Sequence, residues 1–139
     1  MQKTLSAAIA VAAATSAFAF AAPANAASSA GACASQLSSA SIPLGQTAYA
    51  VQFGAEQGPF PNHGFIYTEL ESARTKLQGP ACAGFARVVK AEVDAAIAGI
   101  DTGVAELRAG DWKASWAALE PADEAVSSAY YKVWKIAHP

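Results

Sequence analysis

From Ala83 to Ala109 the chain reads AGFARVVKAEVDAAIAGIDTGVAELRA, its longest uninterrupted helical pattern. Apolar residues recur at Phe85, Val89, Val93, Ala96, Ile97, Ile100, Val104 and Leu107, and spacings of three and four lay them along one side of an α-helix. Arg87, Lys90, Asp94, Asp101 and Arg108 fall on the other side. A helix with one apolar side must be covered, so the other segments are expected to pack around it.

Those segments are also helical in pattern. Ile66, Leu70, Ala73 and Leu77 share a stripe, which predicts a helix from about Phe65 to Leu77, capped by Asn62 and ended by Gly79-Pro80 with the glycine in a left-handed conformation. Gly110 closes the long helix, and Asp111 caps a short one from Trp112 to Leu119. Pro121 then suits the first turn of a last helix, Pro121 to about Ala137, with Ala122, Val126, Ala129, Tyr130, Val133 and Ile136 buried. The Leu107–Leu119 corner resembles the Gly-Asp-aromatic turn of a tetratricopeptide helix pair. That resemblance implies a tight helix corner and no function, since no second copy follows at the family's period.

The amino-terminal part has a different character. Lys3, the small apolar run Leu5–Ala22 and Ala24-Asn25-Ala26 together read as a cleaved signal peptide over residues 1–26, leaving one domain over 27–139. Ala27–Ala32 is expected to be a frayed tail, Cys33–Ala40 a short helix ended by Ser41-Ile42-Pro43, and Leu44–Gly64 the main loop. The expected fold is all-α: a small irregular bundle of about four helices, with no membrane-spanning segment. The formal net charge is −2 and there is no basic run, so nothing favours nucleic acid or an anionic lipid surface.

The two cysteines, Cys33 and Cys82, are expected to pair in an oxidising compartment, periplasmic or extracellular. Closing a loop of about 50 residues contributes roughly 4 kcal/mol in the chain-entropy description. A competing reading makes Cys33 a lipidation site. Against it, Ala30 stands where a leucine-like residue is expected, and the apolar run ends too early.

Candidate sites follow from residue chemistry. Gly-Pro-Phe-Pro-Asn-His-Gly places Phe60 and His63 in a loop stiffened by Pro59 and Pro61, a fit position for a binding surface. Tyr131 and Trp134 fall off the buried stripe of the last helix and join Phe60 and His63 as candidate ligand contacts, because each combines a flat apolar face with a hydrogen-bond donor. Ala91, Ala95, Gly99 and Gly103 recur every fourth residue. Two glycines inside a helix cost about 1 kcal/mol each against alanine, so close backbone approach should offset them. The last helix is the expected occupant, and a homodimer partner at Ala95, Gly99 and Gly103, or a flat ligand, is the other candidate.

Catalytic machinery is not legible. Asp94 and Asp101 share a face with Arg87, Lys90 and Arg108, which reads as a salt-bridged surface rather than an acid/base pair. A Gly-x-Ser-x-Gly elbow, a phosphate loop, a zinc spacing and a haem-attachment motif are all missing from the sequence. No cofactor, metal or catalytic residue is assigned. The expectation is an exported, non-enzymatic binding or interaction module. Its alternatives are a binder of haem or another flat hydrophobic ligand through His63, and a small hydrolase-like enzyme with dispersed residues.

Overall fold

The computed structural model describes residues 22–139, and the first part of the expected leader, residues 1–21, lies outside them. Four α-helices are present among the described residues: α1 (Ala22–Gln57), α2 (Gly64–Leu77), α3 (Ala86–Arg108) and α4 (Trp112–Ala137). A 3-10 turn, Pro80–Phe85, joins α2 to α3. Cross-helix neighbours set the directions. Gly54 lies against Trp112 and Gly45 near Asp123, Gly103 against Leu119 and Gly99 against Ala122. Arg74 reaches Asp101, and Lys76 reaches Ser39. Each helix therefore runs antiparallel to the next, up, down, up, down, with α1 and α4 forming one long seam and α3 and α4 another. The seam between α2 and α3 is the most lightly packed of the four.

α1 is the largest departure from the sequence reading. It is one continuous helix through the expected tail, the expected short helix and most of the expected main loop. Ala30 is fully buried, and Cys33, Leu37, Ala40, Leu44, Thr47, Val51 and Gly54 continue the same inner stripe past Pro43. A proline inside a helix removes the bond to the carbonyl four residues back and costs about 3 kcal/mol or more. Here that carbonyl, of Ser39, accepts from Lys76 Nζ on α2 at 3.3 Å. Buried neighbours on both flanks outweigh the remainder. α1 ends where Gly58 takes φ +102° and its N–H donates to Gly54 O at 3.0 Å.

α4 is likewise continuous from Trp112 to Ala137, so the expected break at Pro121 does not occur. Ala117, whose carbonyl loses the bond, lies on the exposed side with Pro121 itself, where water can satisfy it. Asp111 caps α4 as expected, its Oδ1 accepting from Ala114 N at 2.9 Å. Gly110 (φ +82°) turns the chain: its N–H donates to Leu107 O, and that of Asp111 donates to Glu106 O, the Schellman pattern.

Two caps differ from expectation. Asn62 does not cap α2; it sits at φ +59° in the loop, and His63 takes the N-cap place without a side-chain bond. Gly79 is extended (φ −65°, ψ 161°), not left-handed. Its small size serves Gln36, whose amide would lie 2.7 Å from an added Cβ and which bonds Gly79 O and Ala81 N. That clamp stands one turn from the Cys33–Cys82 disulfide, which ties α1 to the 3-10 turn.

Ile66, Leu70, Ala73 and Leu77 of α2 are buried, as are Val89, Ala96, Ile100 and Leu107 of α3 and Ala122, Val126, Ala129 and Val133 of α4. The glycine ridge of α3 is occupied from within the chain. A Cβ on Gly99 would meet Ala118 O and Ala122 Cβ at 2.8 Å, and one on Gly103 would meet Leu119 at 2.6 Å. Ser115 Oγ donates to Gly103 O at 2.7 Å in the same contact. α4 thus fills the Gly99–Gly103 stretch offered as a dimer face, while Ala95 stays exposed. No helix among the described residues is long and apolar enough to cross a membrane.

Candidate functional site

The loop at residues 58–63 crosses one end of the bundle, and its aromatics gather on Trp112, the first residue of α4. Gly54 makes room for that indole: a Cβ there would lie 2.2 Å from ring carbon Cε3. Phe60 packs on Trp112 with ring centroids 5.2 Å apart, stacks beside Phe65 at 6.4 Å and tilts against Phe53 at 6.3 Å. The His63 ring meets Trp112 edge-on at 5.0 Å and Tyr67 at 6.2 Å. Trp112 is buried, Phe60 and His63 are half-buried, and Phe53 and Phe65 remain 52% and 50% exposed. A rigid aromatic floor therefore carries an exposed apolar rim.

His63 Nδ1 lies 2.8 Å from Phe60 O. A carbonyl oxygen only accepts, so Nδ1 carries a proton, and of the two neutral tautomers this bond selects the one with its lone pair on Nε2. Beyond Tyr67 the Arg108 guanidinium sits 5.5 Å over the phenol ring. Arg108 also lines a groove of about 300 Å³ along the α2–α3 seam, whose apolar floor is Ile100, Val104 and Ala105. Arg74 bridges that groove to Asp101 through bonds of 2.8 and 3.3 Å. Asp94 is held by Lys90 on its own helix. Both carboxylates of the expected charged face are thus ion-paired, although the partner of Asp101 comes from α2.

Tyr131 and Trp134 are exposed, at 61% and 40%, but they do not join Phe60 and His63. Trp112 and Tyr131 are 19 residues apart on one continuous helix, a separation of about 28 Å at 1.5 Å per residue. The single surface expected from the sequence is therefore two patches near opposite ends of the molecule. Trp134 stacks on His138 at 4.4 Å. Tyr131 borders a groove of about 270 Å³ with Ser38, Ser41, Ile42, Ser127 and Tyr130. A third groove, of about 220 Å³, lies further along the α1–α4 seam between Tyr49, Gln52, Trp116, Glu120 and Asp123. Burial, and then the neighbouring Glu124, push the Asp123 carboxyl above its ordinary range.

Sequence reasoning missed Phe53, Phe65, Tyr67 and Arg108 as members of the aromatic end. Phe65 carried a usable signal, since it stands one residue off the Ile66–Leu70–Ala73–Leu77 stripe and had to face outward. Phe53 did not, because its helix went unrecognised. Among the described residues no three His, Cys, Asp or Glu side chains come together as a metal-binding group.

Fold and site together define a disulfide-stapled, up-and-down four-helix bundle capped at one end by aromatic side chains. No family model matches the chain, and no curated protein or solved structure matches it either.

Proposed function

We propose that this chain is an exported, non-enzymatic binding or interaction module whose contact surface is the aromatic end of the bundle, centred on Phe60 and His63. The observation that carries it is the pair Phe53 and Phe65, about half exposed on either side of Phe60, which itself packs on the buried Trp112. Large apolar groups kept in water on a rigid base favour a partner that covers them. Export rests on the leader composition and on the Cys33–Cys82 bond, which suits an oxidising compartment. Cleavage after Ala26 leaves Ala30 and the core beyond it intact.

A second reading, a flat hydrophobic ligand such as haem, draws support from the His63 tautomer. An imidazole whose Nδ1–H is bonded to a carbonyl presents Nε2 in the form an iron ligand needs. Arg108 at the edge of the cluster offers a cation for an acidic substituent.

The test compares the processed chain with Phe65→Ser and His63→Ala variants. Retention of a component of the native envelope that Phe65→Ser releases supports the interaction surface, and equal retention by both chains counts against it. Titration with ferric haem separates the second reading, through a Soret band shifted on binding and lost in His63→Ala. Turnover in a hydrolase panel, abolished by His63→Ala, would replace both with an enzyme.

A further inference from the structure

We propose that the outward face of α1 is a self-association surface on which a second copy of this chain packs antiparallel about a two-fold axis at the level of Leu44. Along Ala22–Gln57 the only residue of the Asp, Glu, Lys and Arg types is Glu56. Solvent faces elsewhere in the bundle carry charges, among them Glu71 on α2, Arg87 and Lys90 on α3, and Lys113 and Glu124 on α4; Lys76 of α2 reaches the Ser39 carbonyl at the edge of the α1 face. Opposite its buried stripe, α1 presents Ala32, Ser35, Ser39, Ile42, Gln46, Tyr49, Phe53 and Glu56, spaced alternately by three and four residues. That is the heptad spacing of a helix seam, facing water. Ile42, Tyr49 and Phe53 in it are 60%, 72% and 52% exposed.

The order of sizes along the stripe selects the occupant. Small residues, Ala32, Ser35 and Ser39, fill its first half, and Tyr49, Phe53 and Glu56 fill its second. Laid antiparallel with the axis midway between Ile42 and Gln46, the stripe meets itself in complement. Ile42 faces Gln46 of the second copy, Ser39 faces Tyr49, Ser35 faces Phe53, and Ala32 faces Glu56. Each of the two exposed rings meets a small side chain, and the two Glu56 carboxylates sit at opposite ends of the seam. The Tyr49 hydroxyl arrives beside the Ser39 hydroxyl, a hydrogen-bonding partner. A parallel arrangement would set Phe53 on Phe53 and Glu56 on Glu56 while leaving Ala32 and Ser35 apart.

Size is adequate for a specific contact. From Ala32 to Glu56 the seam is about 36 Å long, and a strip one helix diameter wide on each copy removes on the order of 800 Å² from water. Tyr131 beside Ile42 and Trp116 beside Tyr49 flank the strip. Their contribution adds to the strip, which is of the same order as the roughly 1,000 Å² that a specific interface requires. In this dimer the Phe53 end of one copy lies alongside the Tyr131 groove of the other, so the two patches about 28 Å apart on one chain become neighbours across the axis.

Sedimentation velocity of the processed chain at micromolar concentrations is expected to show a dimer. Tyr49→Lys should weaken it at least tenfold while the circular dichroism spectrum stays as in the wild type, because Tyr49 is outside the core. The register is read by cross-linking: under mild oxidation, a mixture of Ser39→Cys and Tyr49→Cys chains forms a covalent dimer, and neither chain alone does so efficiently. A wild-type monomer throughout the range, a Tyr49→Lys chain that still dimerises fully, or equal cross-linking within each single variant would overturn the proposal. A monomer that instead captures a different protein through this face counts as the first of these.

Discussion

Asp123 and Glu92 show how two carboxylates on one bundle acquire opposite pH behaviour. Glu92 of α3 accepts from Lys132 of α4, and that hydrogen bond, against the smaller effect of burial, holds its carboxyl below the ordinary range. Asp123 sits in the α1–α4 groove without such a partner among the described residues, and burial raises its carboxyl. For a carboxyl raised in the folded state, ionisation disfavours folding. The cost is present at neutral pH and disappears as pH falls below the range in which the unfolded chain takes up its proton. Asp123→Asn should therefore raise the melting temperature at pH 7. Its advantage over the wild type should vanish by about pH 3, below the reference carboxylate values. Melts of both chains across that interval check this, and a constant difference at all pH values would refute it. Gly45 of α1 lies beside this carboxyl, and an added Cβ there would stand in ordinary contact, 3.5 Å from Asp123 Oδ1.

The helices owe their lengths to neighbours rather than to their own punctuation. Pro43 and Pro121 both lie inside helices, and each lost bond is handled locally, by Lys76 in one case and by solvent in the other. The α3–α4 contact depends on glycine in the same contextual way. Gly99→Ala would force a methyl group to within 2.8 Å of a backbone carbonyl, Ala118 O, which cannot rotate aside. Overpacking of about 2 kcal/mol, partly offset by the roughly 1 kcal/mol gained in helix propensity, gives a net loss of about 1 kcal/mol. Gly103→Ala would meet Leu119 Cδ2 at 2.6 Å and Cγ at 2.7 Å, a side chain fully buried in the core with no room to shift, and should cost at least as much. Urea unfolding of the two variants orders them, and a Gly99→Ala chain as stable as the wild type would contradict the observed approach. The stripes of α2, α3 and α4 were legible because each needs only spacing within one segment. α1 was not, because Pro43, Gly45 and Gly54 are read as breakers until the elements that accommodate them are in view.

At the scale of the molecule, the disulfide closes the end of the bundle opposite the aromatic cluster. It spans 49 residues in sequence and joins α1 to the turn between α2 and α3, the connection that leads into the lightly packed seam. Replacing both Cys33 and Cys82 by serine should lower stability by about 2–4 kcal/mol, read as a lower melting temperature and a lower urea midpoint. An unchanged midpoint would show that packing alone holds this end. The candidate site divides along the same axis. Phe60 and His63 were legible as a local motif, since two prolines and a histidine within one loop need no fold to be noticed. Their separation from Tyr131 and Trp134 was not, because it follows from α4 being one unbroken rod.

Reading along the chain was enough to establish the helical class, the cysteine pair, the Asp111–Gly110 corner and the inner stripes of three helices. Each of these is a matter of short-range spacing or of residue chemistry. Contacts between distant segments were needed to establish that α1 runs unbroken through Pro43, that Trp112 anchors the Phe60 loop, that α4 fills the Gly99–Gly103 ridge, and that an uncharged heptad face is left in water. These depend on which atoms come to lie beside a lost hydrogen bond, an absent Cβ or an exposed ring, and spacing within one segment carries no record of that.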